Sequence, residues 1–265
     1  MLKHALPCAP GPIALVGEPE SWEEAVRAEL AAPVVAFARP ADEGGVSSSG
    51  RMPTTRRHAD PSRTVCDRRG AGIAGVLTTL IASGEPVLVV CADTRRRLEH
   101  LSGRLGGFAL CSWTALERSP PLVGDAYHVV LLDPPAHPAL RALATAGRPA
   151  QLTHLCWGAA ELGFAQHVHD EQHALRDHIS TAYRLLRGAP ADVAGALPRS
   201  PVAAGRVLRV LCELGLVELD RVALTVAVPA FAGRTALERS PTFAACTTRH
   251  REGNQWLRPA EPRAA

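Results

Sequence analysis

Gly70, Gly72 and Gly75 form G-x-G-x-x-G, and Asp93 closes the next apolar run. That spacing suits a dinucleotide: the glycines admit the backbone to a pyrophosphate at a helix N-terminus, and the acid takes a ribose hydroxyl. The strand that should precede the loop is short, residues 64–66, and Asp67, Arg68 and Arg69 intervene, so a tight helix entry is the favoured reading. Asp133 follows HVVLL where a Walker-B acid would stand, yet Pro134 and Pro135 come next. Lys3 is the sole lysine, so no P-loop lysine exists to hold phosphates. The outline is that of an ATPase without its working groups.

Two further clusters invite chemistry. His167, His169, Asp170, Glu171, His173, Asp177 and His178 crowd one helical stretch, and His169 and His173, four apart, suit one metal ion. No H-E-x-x-H is present, so a solvated face with i,i+4 charge pairs is the favoured reading and no metal ligand is assigned. Arg199, Arg206, Arg209 and Arg221 occupy a helix and turn where the arginines of a winged helix would meet DNA phosphates. Arginine supplies nearly all positive charge here, so its clusters are weak signals. Aromatic residues are only 4%, giving no obvious base-stacking platform, and no G-x-S-x-G elbow occurs. No catalytic residue is assigned.

The elements that must position these residues alternate. Continuous apolar runs at 87–91 (VLVVC), 108–111 (FALC), 128–132 (HVVLL) and 152–157 (LTHLCW) are separated by helical stretches at 73–82, 94–105, 112–118 and 137–146. Strands apolar on both faces and alternating with helices predict an α/β fold, a degenerate P-loop or Rossmann-like parallel sheet covered by helices. A helical, winged-helix-like domain follows. Residues 159–187 read as one long helix or a broken pair, 191–197 as a short helix and 201–214 as a stronger one, with Gly215 as C-cap. Strands at 216–219 and 223–228 make the wing, and a helix over 240–256 closes the chain. The expected domains are an N-terminal remnant (1–38, a strand at 13–16 and a helix at 20–30), a flexible linker (39–63), the α/β domain (64–158), the helical domain (159–257) and a disordered tail (258–265). The linker holds too little apolar residue to offset its ordering entropy.

With 46% hydrophobic residues a real core is available; a net charge of +3 is compatible with nucleic acid but does not demand it. Seven dispersed cysteines without a CxxC pair imply a reducing cytoplasm, and no apolar run approaches the ~18 residues that span a bilayer.

In order, DRRGAGIAGVLTTLIASGEPVLVVCAD, GGFALCSWTALERSP, HVVLLDPPAHP, THLCWGAAELGFA, RSPVAAGRVLRVLCELGLVELD and RTALERSPTFAACTTRHREG resemble the C-terminal region of actinobacterial-type RecJ proteins. The resemblance covers residues 64–257, with 2–32 matching the tail of a preceding OB-fold and its connector. It implies an accessory region of a 5′-to-3′ single-stranded DNA exonuclease acting in recombination and repair, contacting single-stranded DNA or a repair protein. The family's manganese or magnesium is held by DHH and DHHA1 domains, nothing of which matches here; Asp177-His178 is followed by Ile179. No cofactor is therefore expected in this chain. It starts where that nuclease core would already have ended, which implies a truncated gene, a misplaced start or a separately encoded core. The rival reading is a small nucleotide-binding enzyme using Gly70, Gly72, Gly75, Asp93 and Asp133.

Overall fold

The computed structural model describes residues 11–32, 34, 62–189, 191–230 and 235–258. Six strands, β1 (Ala14–Leu15), β2 (Thr64–Asp67), β3 (Val87–Cys91), β4 (Ala109–Ser112), β5 (His128–Leu131) and β6 (Leu152–Leu155), form one parallel sheet in the order β1-β4-β3-β5-β6-β2. All five side chains of β3 and all four of β5 are buried, as the unbroken apolar runs require of central strands covered on both faces. The short run at 64–66 is a true strand, but it lies at the sheet's outer edge and Val65 stays 42% exposed.

Helices α2 (Ile73–Ala82) and α3 (Thr94–Leu101) cover one face, where Val76, Leu77, Leu80 and Leu101 meet Val87, Val89, Cys91, Leu110 and Val130. Helices α4 (Trp113–Arg118) and α5 (Pro138–Thr145) cover the other, where Trp113, Leu116, Leu140 and Ala144 meet Leu88, Val90, Cys111, Val129 and Leu131. The fold is thus the Rossmann-like α/β sandwich that the periodicity predicts.

A second core is helical. The long stretch after β6 breaks at Ala174 into α6 (Ala159–His173) and α7 (Leu175–Gly188), followed by α8 (Val193–Ala196), α9 (Pro201–Glu213), the antiparallel hairpin β7 (Glu218–Asp220)–β8 (Thr225–Ala227) and α10 (Pro241–Trp256). Ser200 and Ser240 cap α9 and α10, each followed by a proline at the first helical position. The hairpin turn is held by Asp220, whose Oδ1 accepts from the N–H groups of Val222 (2.8 Å) and Ala223 (3.0 Å).

Two expectations about organisation are corrected. The N-terminal segment is no separate remnant: β1 pairs with β4, and α1 (Trp22–Ala31) packs along α9, with Val26 and Leu30 inside the helical core. The linker does not reach 63, because Arg63 is buried and donates to the carbonyls of Ala146 (2.9 Å), Tyr127 (3.2 Å), Ala126 (2.8 Å) and Val123. The rest of the linker falls mostly at 39–61, outside the described residues, as does the tail from 259. Among the described residues no helix is long and apolar enough to cross a membrane.

Two glycines set the helix crossings. A Cβ on Gly205 of α9 would stand 2.7 Å from Glu29 Cβ and 3.2 Å from the Val26 carbonyl on α1; one on Gly253 of α10 would stand 2.1 Å from His169 Nε2 on α6. Gly205→Ala and Gly253→Ala each lose about 1–3 kcal/mol by overpacking. Urea unfolding measures this, and an unchanged midpoint would show that the helices part without resistance.

Candidate functional site

Ligands of open parallel sheets sit beyond the carboxyl ends of the strands, where successive crossovers diverge to opposite faces. Here β3 and β5 are neighbours, and the helices that follow them, α3 and α5, lie on opposite faces, so the switch point lies between the loops after Cys91 and Leu132. Side chains nearly fill it, leaving a cavity of only about 50 Å³ beside Ala92, Pro134 and Ala136. Asp133 is fully buried and its Oδ2 accepts from the Ala92 N–H (2.8 Å) and from Arg97 Nε (3.1 Å), while Arg97 Nη2 donates to Oδ1. Phe164 of α6 covers the guanidinium, its ring 4.1 Å from the guanidinium carbon. Burial raises the Asp133 carboxyl above its ordinary value, with the Arg97 hydrogen bond and charge opposing. The acid that resembles a Walker-B group is a clasp between β3, α3 and the loop after β5.

The remaining nucleotide-site candidates do not converge. Gly70 and Gly72 take positive φ (78° and 76°), and the loop opens α2, so the glycines are used as a helix entry. Asp93 caps α3, accepting from the Arg96 N–H (3.1 Å). The glycine loop follows β2 and Asp93 follows β3, with β6 and β5 between them. Three strand spacings amount to about 14 Å, whereas a dinucleotide fingerprint uses neighbouring strands.

Beside the switch point, a cleft of about 540 Å³ opens over β3 and β4. Its lining mixes Glu18, Glu20 and Asp93 with Arg95 and Arg118, and Glu18 already accepts from the Ser112 N–H at 2.6 Å. No hydroxyl in this cleft is hydrogen-bonded to a histidine among the described residues, so the arrangement offers no nucleophile–base pair.

The arginines expected to read DNA are divided by the fold. Arg206 and Arg209 are 3% and 8% exposed, because α9 runs through the middle of the helical core with residues 203–211 all buried. Arg206 Nε donates to Glu29 Oε1 (2.8 Å) and Nη1 to the Gln172 carbonyl (2.8 Å); Arg209 donates to the Glu29 carbonyl. Neither reaches a phosphate. Arg199 and Arg221 are exposed.

The acid–histidine stretch of α6 is also structural. His169 meets the Arg249 carbonyl (3.1 Å) and His173 lies 3.0 Å from Arg206 Nη1, while Asp170 pairs with His250 (2.7 Å) and Glu171 with Arg96 (2.8 Å). Burial is the main cause that pushes His169 down to about 4 and His173 well below its ordinary value. In the sheet, buried His128 and His154 contact each other at 3.0 Å, and burial takes His154 to about 4.

One group of residues is not marked as a site by the sequence. At the carboxyl ends of β2 and β6, Arg69 holds Asp67 by bonds of 2.9 and 2.5 Å, and its guanidinium lies 5.9 Å from the Trp157 ring centre. Those hydrogen bonds, with weaker help from the charges of Arg69 and Arg141, keep Asp67 at about 2. The signal, paired arginines straight after a strand, was hidden by the arginine-rich composition. No protein-family model matches the chain, and no curated protein matches its sequence.

Two outcomes follow from the buried groups. Arg97→Met leaves the Asp133 carboxyl without its cation and costs about 3–5 kcal/mol at neutral pH. An acid whose folded pKa is raised binds its proton more tightly when folded, so this deficit relative to the parent narrows as pH falls; urea unfolding at pH 8 and pH 6 reads it. In the parent the histidines act oppositely. They are neutral when folded and titrate near 6.5 when unfolded, so stability present above that pH declines toward pH 4, by up to about 1.4 kcal/mol per unit for each histidine. A melting temperature flat from pH 7 to pH 5 would contradict that assignment.

Proposed function

We propose that this chain is a non-catalytic accessory region of a RecJ-like 5′-to-3′ single-stranded DNA exonuclease, serving recombination and repair by contacting DNA or a repair protein. The observation that carries the non-catalytic half is the closed switch point: Asp133, Arg97, Ala92 and Phe164 occupy the crevice where a nucleotide would lie. The family half stands on the ordered blocks of residues 64–257 that resemble the RecJ C-terminal region. Those blocks fold together, with α4 and α10 joined by Glu117–Arg249 and α3 and α6 by Arg96–Glu171.

Two measurements test the proposal. Incubated with end-labelled single-stranded DNA and Mn²⁺ or Mg²⁺, the chain releases no nucleotides, and NAD, NADP, ATP and S-adenosylmethionine leave its melting temperature unchanged. A nucleotide at a hundredfold its Kd would add about 2.7 kcal/mol, so a clear upward shift overturns the non-catalytic reading in favour of a nucleotide-binding enzyme. Mixed with a DHH/DHHA1 nuclease core lacking this region, the chain co-elutes with it or raises its retention on single-stranded DNA; failure of both removes the accessory assignment.

A further inference from the structure

The β2 edge of the sheet ends in cations that the rest of the fold does not use. Asp67 of β2 stands level with Leu155 of β6, so the residues just beyond these strands, Arg68-Arg69 and Trp157, share one rim. Arg141 lies on α5, which covers the face of the sheet against which Trp157 packs, and its charge acts weakly on Asp67. Arg68 and Arg141 are exposed, and neither makes an ion pair among the described residues. Asp67, the acid that touches these arginines, is already held by Arg69, and Glu161 beyond Trp157 is held by the Gly158 N–H (2.8 Å). Trp157 is half-buried against the α4–α5 face of the sheet, with the Arg69 guanidinium over its ring. Next to this pair Gly72 is the N-cap of α2 and supplies no side-chain cap, and nothing lies within 4 Å of where a Cβ would stand on Gly70, Gly72 or Gly75.

We propose that Arg68, Arg69, Arg141 and Trp157 form a binding surface for single-stranded DNA. The choice of DNA rests on the accessory-region reading above; the placement rests on the geometry. Three arginines against one neutralised acid attract phosphates, and the open glycine turn lets a backbone approach the start of α2. An indole ring and a guanidinium plane are both surfaces on which unpaired bases stack. A duplex keeps its bases stacked internally and would present this small rim with phosphates alone. The winged-helix segment offers no such combination: Arg199, just before α9, and Arg221, in the hairpin turn, are exposed, but no ring–cation stack among the described residues involves either.

The test is fluorescence anisotropy of a labelled oligothymidylate with the full chain across a salt series. It compares the parent, Arg68→Glu/Arg141→Glu, Trp157→Leu, and the competing placement Arg199→Glu/Arg221→Glu, with thermal melts to verify folding. The parent binds the single strand more tightly than a duplex of equal length. The rim pair weakens binding roughly tenfold or more and flattens the log–log salt dependence by about 1.4, two phosphates at ~0.7 each. Trp157→Leu, if folded, weakens binding roughly fivefold or more through lost stacking, and the wing pair changes it less than about twofold. Absence of binding by the parent, preference for duplex, or a loss confined to the wing pair overturns the proposal. Those outcomes are separate from nucleotide stabilisation or nuclease activity, which would overturn the accessory reading itself.

Discussion

The Glu29 carboxylate is the contact on which the two halves of the molecule depend. It lies on α1, 3% exposed, between Arg206 of α9 and Arg118 of α4, while its own carbonyl receives Arg209. Burial by itself would raise its pKa, but the charges of Arg206 and Arg118 outweigh that and hold the group ionised. Burying one carboxylate and a guanidinium costs several kcal/mol per ion, and only a complete partner set offsets it. The partners come from α9 and α4, on opposite sides of α1's carboxylate, so ionisation of Glu29 and docking of the helical unit on the sheet unit are one event.

That constraint explains why a helix in the recognition position of a winged-helix order does not present a reading face. Gly205 brings α9 against α1, Glu29 takes Arg206, and the arginines that sequence alone would assign to phosphates become internal counterions. The same logic governs the switch point. An acid after a central strand suits catalysis when it is solvated or holds a metal. Asp133, sealed under Phe164 with Arg97, is instead a joint between the sheet and α3 that also touches α6.

Sequence periodicity carried the central strands and the alternation with helices, because these depend on local pattern. It did not carry which arginines are buried. Arg206 and Arg209 sit at polar positions of an amphipathic stripe, and α1, arriving from 177 and 180 residues away, covers them together with α6. Asp133 was recognisable as a strand-end acid, yet its partner Arg97 lies among three consecutive arginines of which nothing local selects one. The β2 edge is weakly marked in the sequence because its strand is short and poorly covered, which is what a sheet edge is.

Strand order is the one property that local reading cannot supply, and here it acts in two directions. Because α2 carries the chain from the outer edge past β6 and β5 to β3, the glycine turn and Asp93 end up on strands too far apart to embrace one dinucleotide. The same path leaves β2 beside β6, bringing Arg69 against Trp157, residues nearly ninety positions apart with nothing in their spacing to join them. A topology that dismantles a nucleotide site of the usual kind therefore assembles a basic, aromatic rim on the same side of the sheet. The closed centre and the open edge are two consequences of a single crossover.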